Sequence, residues 1–335
     1  MLAAFTDPRC LSHDPPGFPE RAARLSAVLE GLGAAGIEIR RHGPHAAALG
    51  AAREVHDPAY IERLQRAVQR GDGLIDSADN PLTPTTWEAS LAAVGSALHA
   101  ADWLMAGPER RAFAAVRPPG HHAGRSRAMG FCYLANLAIA ARYLRSRHGV
   151  ERLAVYDFDV HHGNGTQHLF EERCDVVFVS THQYPFYPGT GAASERGRGA
   201  GEGCTVNVPL AAGCDDGAFA RALEESVLPA LEAARPDVLL VSAGFDAWRS
   251  DPLGGLRWSE ESYRRIGEAL GELAARRCGG RVLTLLEGGY DVEALPGLVA
   301  AYLTALEAAA GGDLRSLGSG RGESRSAGDG WVDER

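Results

Sequence analysis

The side chains with the clearest capacity for chemistry lie in one short stretch, DFDVHHGNGT, at residues 157–166. An apolar run at residues 153–156 comes directly before it and is typical of the end of a buried strand. Because side chains alternate along an extended backbone, Asp157, Asp159 and His161 are expected to point to one side. Carboxylate and imidazole groups bind divalent metal ions, so this spacing predicts a metal site.

A third metal ligand is expected at the end of another strand, where Asp246 in the motif VSAGFDAW is the candidate. Two carboxylates and one imidazole leave coordination positions open, which is the arrangement of a catalytic metal site rather than a structural one. Any one of these aspartates alone is equally compatible with a helix cap or an Asx turn. Their combination with the other polar motifs favours metal binding.

Hydrolysis at such a site also needs a proton acceptor, because a metal ion lowers the pKa of water without removing the proton. The adjacent His121 and His122 in RPPGHHAG supply one, where two prolines and a glycine restrict the backbone. Tyr290 in LEGGYD carries a phenol that can donate a hydrogen bond to a developing oxyanion. Phe131 and Tyr187 are compatible with an aromatic channel beside the site and equally with ordinary core packing.

The elements that position these motifs are five apolar β-like runs that alternate with stretches of helical spacing. This order predicts a parallel α/β sheet covered on both faces. The runs lie at residues 112–116, 153–156, 176–180, 238–243 and 282–286, and the helical stretches at 21–32, 58–69, 87–104, 134–145, 219–233 and 259–276. A polar motif follows directly after each run. Ligands bind beyond the carboxyl ends of strands in open parallel sheets, so the motifs are expected to meet at one edge.

Composition limits the classes of protein that the chain can belong to. Its 335 residues are 45% hydrophobic and 23% charged, as in an ordinary globular protein. The net charge of −9 argues against general affinity for nucleic acid or for anionic membranes. No apolar stretch approaches the ~20 residues that cross a bilayer, and no secretory signal opens the chain. A cytoplasmic protein is therefore expected.

The cysteines and the end of the chain give two further predictions. The six cysteines form no Cys-x-x-Cys pair, so neither a disulfide framework nor a thiolate zinc site is predicted, and each is expected to be a small buried side chain. From residue 311 to 335 the sequence is rich in glycine, serine, arginine and aspartate, which predicts a mobile tail. One domain over residues 1–310 is expected before it.

The chain resembles the histone deacetylase family, within it the class II-like enzymes and their bacterial deacetylase and acetylpolyamine amidohydrolase relatives. Seven motifs carry the resemblance, in family order between about residues 5 and 306: RPPGHHAGRSRAMGFC, DFDVHHGNGTQ, FYPGTGAASERGRGAGEG, NVPL, SAGFDA, DPLGG and LEGGYD. The resemblance implies the single-domain arginase/deacetylase fold, an eight-stranded parallel sheet flanked by helices on both faces. It also implies metal-dependent hydrolysis of an amide with release of acetate.

The same resemblance implies a role for each matching residue. Zinc, or ferrous iron, would be bound by Asp159, His161 and Asp246. The catalytic set would be His122 as general base and acid, His121 as its electrostatic partner paired to Asp157, Asn164 behind His122, and Tyr290 on the scissile carbonyl. The substrate channel would involve Arg21 near its floor, Gly130, Phe131, Tyr187, Leu253, Gly288 and Gly289. A structural potassium ion would be bound by the backbone carbonyls of Asp157, Asp159 and His161, with Ser180 and Thr181.

Three positions refine these expectations. Class I relatives have an aspartate where this chain has Asn164, so His122 is predicted to be less basic here. Many relatives have histidine where this chain has Phe18, which affects only the entrance loop. After Asp246 come Ala247 and Trp248, without the Asp-x-Asp that would help to bind a second metal ion in arginases. A mononuclear site is predicted.

The substrate remains open between two chemical classes. Leu253 stands where polyamine-preferring eukaryotic relatives have glutamate, and leucine offers a second ammonium group no electrostatic attraction. This favours acetylated lysine in a peptide or protein over a small acetylated amine such as an acetylpolyamine. A protein that binds acylated ligands without hydrolysing them is a third interpretation. The sequence assigns neither the oligomeric state nor the choice between zinc and iron.

Overall fold

A computed structural model describes residues 1–107 and 110–311 of the chain. The predicted tail, apart from Gly311, lies outside the described residues. The strands are β1 Leu2–Thr6, β2 Glu38–Arg41, β3 Leu74–Ile75, β4 Ser77–Pro81, β5 Arg111–Ala114, β6 Leu153–Asp157, β7 Val176–Gln183, β8 Thr205–Leu210, β9 Val238–Ala243 and β10 Val282–Leu286. The α-helices are α1 Ala22–Ala34, α2 Ala48–Val55, α3 Pro58–Arg70, α4 Thr86–Met105, α5 Asn136–His148, α6 Asn164–Phe170, α7 Asp216–Ala222, α8 Leu228–Ala234, α9 Glu260–Arg277 and α10 Leu295–Ala310.

Eight of the strands form one parallel sheet in the order β2-β1-β5-β10-β9-β6-β7-β8. Strands β6, β9 and β10 are buried at every position. Alternate side chains point to opposite faces of a sheet, so complete burial means that both faces are covered. Helix α10 packs against α9 and α1, and α4 packs against α5 and α2. The eight-stranded parallel α/β fold is therefore confirmed.

The strand order explains why the polar motifs converge. The five strands predicted from the sequence are β5, β10, β9, β6 and β7, and they are consecutive neighbours in the sheet. Because all five run parallel, their carboxyl ends lie along one edge, and the five polar motifs follow there. The small antiparallel hairpin β3–β4 lies outside this sheet.

Sequence patterns missed several elements. Strand β2 is short, charged and largely exposed, so it lacks the apolar signature of the central strands. Strands β1 and β8 and helices α2 and α10 were also not predicted. The helix expected over residues 219–233 is instead α7 and α8, joined by a π-helical turn at Leu223–Val227.

The expectation that every cysteine is a separate buried side chain is wrong for three of the six, because Cys214 is only partly buried and two others are bonded to each other. Cys174 and Cys204 form a disulfide, with their Cα atoms 5.3 Å apart. The other four cysteines are free. A 30-residue separation gives no sign of this pairing, because the distance between the Cα atoms is set by where α6, β7 and β8 meet.

No helix in the described ranges is both long enough and apolar enough to cross a membrane.

Candidate active site

The three predicted metal ligands meet at the carboxyl edge of the sheet. Asp159 and His161 follow the end of β6, and Asp246 follows the end of the neighbouring strand β9. One ligand atom from each lies within 4.8 Å of the others. The Nδ1 atom of His161 is 3.0 Å from Asp159 Oδ1 and 3.2 Å from Asp246 Oδ2. The structure thus brings together side chains that are 87 positions apart at most, 246 minus 159.

The surroundings of these side chains fit a divalent cation. Both aspartates are fully buried, and Asp246 Oδ2 accepts no well-oriented hydrogen bond within the described ranges, its neighbour at 3.2 Å being the predicted metal ligand His161; its Oδ1 accepts from the Val160 amide at 2.9 Å. A buried carboxylate oxygen without a partner is costly unless a cation is bound. A Cβ atom at Gly288 would lie 2.1 Å from Asp246 Oδ2, and one at Gly244 would lie 2.1 Å from Asp159 Oδ2. Glycine at both positions leaves room around the carboxylates.

Electrostatics in the same cluster point to an uncompensated negative charge. Burial and the nearby Asp159 raise the pKa of Asp246 to about 7. Burial alone would lower the pKa of His161, but the adjacent carboxylates of Asp159 and Asp246 raise it to about 10. In the absence of a metal ion the cluster therefore takes up protons, and binding of a metal ion releases them.

The two adjacent histidines have opposite electrostatic environments. His121 Nδ1 lies 3.1 Å from Asp157 Oδ2; burial would lower the pKa of His121, but Asp159 and Asp157 raise it to about 10. His122 Nδ1 donates to Asn164 Oδ1 at 2.7 Å, and burial together with the charges of His121 and His161 lowers its pKa well below the usual value. The ring centroids of His121 and His122 are 4.0 Å apart. These environments favour a protonated His121 and a neutral His122 that can accept a proton.

Glu287 supports the histidine pair, and sequence reasoning gave it no role. Its Oε2 accepts hydrogen bonds from the amides of Gly120 at 2.7 Å and His121 at 3.1 Å, and its Oε1 accepts from Ser242 at 3.1 Å. Burial raises the pKa of Glu287 to about 7. Glu287 also lies with His121 and Cys132 in a second group of close ligand-type side chains. Its position within the quoted motif LEGGYD was the available signal.

Tyr290 lines the channel and is held by neighbours on both sides. Its amide donates to Asp251 Oδ2 at 2.6 Å, and the guanidinium of Arg24 lies 4.7 Å from the centre of its ring. Burial raises the pKa of the Tyr290 phenol well above its usual value, so the phenol stays a hydrogen-bond donor. Asp251 also accepts from the Leu253 amide at 2.9 Å, within its own loop. The bond from the Tyr290 amide to Asp251 therefore joins the DPLGG and LEGGYD loops.

The predicted place of Arg21 at the channel floor is wrong. Arg21 precedes α1, is exposed, and lines an outer depression beside Phe18. Arg24, one turn into α1, is the buried arginine, with bonds to the Gly289 carbonyl at 2.5 Å and the Glu287 carbonyl at 2.6 Å. Arg21 and Arg24 differ by three positions, which is nearly one helical turn. The way in which α1 lies against the sheet decides which of the two side chains points toward the interior.

The expected aromatic channel is present and has a volume of about 280 Å³. Its lining includes His122, His161, Tyr290 and Leu253, and its other lining residues are Asp79, Gly130, Phe131, Phe186 and Tyr187. Phe186 stacks on the His161 ring with centroids 5.4 Å apart. A Cβ atom at Gly130 would lie 2.3 Å from His122 Cδ2, so only glycine fits there.

Two channel residues were not singled out from the sequence. Phe186 is the first residue of the quoted motif FYPGTGAASERGRGAGEG and is followed by Tyr187. Asp79 comes from β4 and accepts hydrogen bonds from the Tyr187 phenol at 2.6 Å and the Gly130 amide at 3.2 Å. Its isolated position in a polar hairpin gave no sequence signal. Phe18 packs edge-on against Phe131, with ring centroids 6.4 Å apart.

Gly288 and Gly289 were predicted to line the channel, and neither is among its lining residues. The Gly288 amide donates to Asp159 Oδ2 at 2.8 Å, and the Gly289 carbonyl accepts from Arg24. Gly288 thus lies against the metal-ligand carboxylates, and Gly289 lies against the buried Arg24 and Phe245. Leu253, in contrast, lines the channel as predicted.

The predicted potassium ligands lie side by side at the ends of β6 and β7. Asp157 pairs with Ser180 across the two strands, and the next residue, Thr181, has its Oγ1 atom 3.0 Å from the Tyr156 phenol oxygen. Ser180 Oγ is 2.9 Å from His182 Nδ1. Potassium binding at this position stays a prediction.

Comparison with known proteins gives consistent matches. Residues 18–306 match the histone deacetylase domain. The chain is 40% identical over 310 residues to histone deacetylase 10, chloroplastic, of Oryza sativa subsp. japonica, with 87% of this chain and 70% of that protein covered. It is 39% identical over 279 residues to the histone deacetylase-like amidohydrolase of Pseudomonas aeruginosa, covering 83% and 73%. The acetylpolyamine aminohydrolase structure from Burkholderia pseudomallei is similar at a TM-score of 0.84 and 32% identity, covering 92% and 99%.

Proposed function

Because the chain belongs to the histone deacetylase family, we propose that it is a zinc-dependent amidohydrolase that removes acetyl groups from acetyl-lysine side chains of peptides or proteins. One observation carries the proposal. The channel with the aromatic side chains of Phe131 and Tyr187 in its wall is also lined by His161, His122 and Tyr290. An aliphatic lysine stem fits between aromatic walls, and the acetamide at its end would then lie beside the metal ligands.

Zinc, or ferrous iron, bound by Asp159, His161 and Asp246 would polarise the scissile carbonyl and lower the pKa of a water molecule. The chain's own residues move the protons. His122 Nδ1 is occupied by Asn164, so its Nε2 accepts the proton of the attacking water. As the carbon–nitrogen bond breaks, the same atom returns that proton to the leaving amine, and acetate and lysine are the products. The Tyr290 phenol donates to the carbonyl oxygen as negative charge develops there.

Acetylpolyamines are the second candidate substrates, favoured by one observation. The structurally similar protein from Burkholderia pseudomallei is named an acetylpolyamine aminohydrolase. Against it, the channel presents the apolar Leu253 at the position discussed above, and the Asp79 carboxylate is already bonded to Tyr187 and Gly130. A carboxylate with two donors has less free capacity for a substrate ammonium group.

The two candidates are separated by measuring kcat/KM of the zinc-loaded protein for an acetyl-lysine peptide, acetylputrescine and acetylspermidine. We expect the peptide to be preferred. An acetylpolyamine carries a second ammonium group that would lose its hydration in the channel, and the apolar channel walls offer that group no compensating interaction. A value of kcat/KM for either acetylpolyamine well above that of the peptide would overturn the lysine proposal and leave the hydrolase intact.

Tyr290→Phe distinguishes a hydrolase from a protein that only binds acylated ligands. Removing one preorganised donor to a developing oxyanion lowers kcat by about 10²–10³-fold, whereas the lost ground-state contact changes affinity little. Turnover and the affinity for an acetyl-lysine peptide are measured on the same preparation. Tyr302→Phe, which removes a buried phenol bonded to Thr284, serves as the matched control. Equal turnover in Tyr290→Phe and the unaltered protein would contradict the proposed role.

The same proposal includes three further points: potassium binding at the ends of β6 and β7, a mononuclear metal site, and a cytoplasmic location. The described side chains support the mononuclear site in one respect: Trp248 Nε1 donates to Asp291 at 3.1 Å and offers no metal ligand beside Asp246.

A further inference from the structure

A second cavity of about 360 Å³ lies on the other side of His122 from the channel. His122 contributes to the walls of both cavities. The rest of the second cavity, here called the basic cleft, is lined by Gly124, Arg125, Ser126, Arg127, Met129, Asn164, Gly165 and His168. The basic cleft is therefore adjacent to the reacting centre without being part of the proposed lysine channel.

The basic cleft carries positive charge that no acidic side chain in its lining neutralises. Arg125 and Arg127 are exposed, and neither forms an ion pair with any residue in the described ranges; Arg125 donates only to the Val55 carbonyl, at 3.3 Å. The Nδ1 atom of His168 lies 3.4 Å from Glu171 Oε1, and Glu171 is not among the residues that line the basic cleft. Two guanidinium groups without an ion pair thus line the same cavity in a chain whose net charge is −9. Guanidinium groups bind carboxylates through two parallel hydrogen bonds.

The backbone that carries the two arginines is held in place. The Gly124 amide donates to the Arg127 carbonyl at 2.9 Å, and the Arg125 carbonyl accepts from the Asp57 amide at 3.0 Å. Arg63 donates to the Ser126 carbonyl at 2.9 Å. Two carboxylates accept from the same segment: Asp57 from Ser126 Oγ, and Asp76, which is paired with Arg63, from the Ala128 amide at 2.8 Å. A fixed backbone lowers the entropy cost of binding a ligand with the arginine side chains.

Arg127 also links the basic cleft to the channel mouth. It lies three residues before Gly130, which lines the channel. A peptide whose acetyl-lysine occupies the channel would thus run past Arg127.

We propose that the basic cleft binds a carboxylate side chain close to the acetyl-lysine of a peptide or protein substrate. The inference rests on the proposed deacetylase function and narrows its substrate class to acetyl-lysines with acidic neighbours. It also disfavours acetylpolyamines, whose second ammonium group would approach Arg125 and Arg127. Released acetate has the same carboxylate chemistry, so the test must separate it from the substrate side chain.

The test uses three acetyl-lysine peptides that differ only in flanking residues, with aspartate, alanine or lysine on both sides. We expect kcat/KM at low ionic strength to be about 3- to 10-fold higher for the aspartate peptide than for the lysine peptide, mainly through KM. The preference should decline as salt rises. The net charge of −9 would by itself give the opposite order, so the sign of the effect is decisive.

Arg127→Gln and Arg125→Gln should each reduce the preference for the aspartate peptide. Arg235→Gln is the matched control, since it removes one exposed charge just before β9, at the opposite edge of the sheet, and should keep the preference. A lysine peptide turned over as fast as the aspartate peptide, or a preference unchanged in both cleft variants, would overturn the inference. Acetate inhibition that weakens in Arg127→Gln without a peptide preference would assign the cleft to the product and also overturn it.

Affinity measured by fluorescence anisotropy with the same labelled peptides separates this inference from the proposed reaction. If the unaltered protein binds the aspartate peptide most tightly but hydrolyses none of the three, the deacetylase proposal fails and the basic cleft stands. If it hydrolyses all three with no charge preference, the basic cleft fails and the deacetylase proposal stands.

Discussion

Replacing Asp246 with asparagine is expected to abolish tight binding of a divalent metal ion and, with it, deacetylation. Asp246 supplies one of two fully buried carboxylates, and its Oδ2 atom accepts no well-oriented hydrogen bond in the part of the chain that the structure describes. Asparagine keeps the shape of the side chain but removes the negative charge that binds a cation. Removing a residue that only hydrogen-bonds to a metal ligand lowers the metal affinity by about 10–100-fold. Since Asp246 is itself a proposed ligand, we expect its replacement to lower the affinity for zinc by more than about 100-fold.

The same variant should remain folded. Without a metal ion, burial and Asp159 disfavour the charged form of Asp246 and raise its pKa to about 7. A neutral amide removes this unfavourable charge, so the metal-free variant should unfold at a temperature equal to or above that of the metal-free parent. This expectation separates loss of the site from loss of the fold.

Two measurements check the prediction: zinc content per chain after gel filtration, and the rise in Tm on adding zinc. Ligands that bind only the folded state raise Tm, so the parent should respond and Asp246→Asn should not. Asp237→Asn, a change of an exposed aspartate at the start of β9, should behave like the parent. One tightly bound zinc ion in Asp246→Asn, with an unchanged rise in Tm, would rule out the assigned ligand set.

Replacing His122 with alanine is expected to lower kcat by about 10²–10⁴-fold, the usual contribution of a general base. His122 is the neutral member of the histidine pair, because burial and the charges of His121 and His161 lower its pKa well below the usual value. His121, whose pKa is raised to about 10 beside Asp159 and Asp157, carries a proton already and cannot replace it.

Single-turnover rates on an acetyl-lysine peptide measure this effect directly, because they are independent of product release. His122 lies beside the metal ligands without being one of them, so the zinc content of His122→Ala should stay at the parent level. His148→Ala, at the end of α5 and bonded to Asp102, is the control for loss of an imidazole elsewhere. A rate for His122→Ala within tenfold of the parent would place the general base at another residue.

The hydrogen-bond partners of His122 and His121 show how far the family resemblance extends. It implied Asn164 and Asp157 as these partners, and the structure gives separations of 2.7 and 3.1 Å. Asp157 is the last residue of β6 and Asn164 is the first residue of α6. Glu287 supports the same histidines from another strand, and no local pattern in the sequence connects it to them.

The sequence by itself determined that five polar motifs follow five strands of one parallel sheet, and which aspartates and histidine meet as metal ligands. Strand periodicity and the direction of parallel strands are local properties, and together they place strand ends at one edge. Only the tertiary structure decided that Arg24 rather than Arg21 lies inside, that Gly288 and Gly289 do not line the channel, and that Cys174 meets Cys204. It also decided that His122 separates the aromatic channel from the basic cleft. These features depend on how each helix and loop lies against its neighbours, which is set by packing over the whole chain.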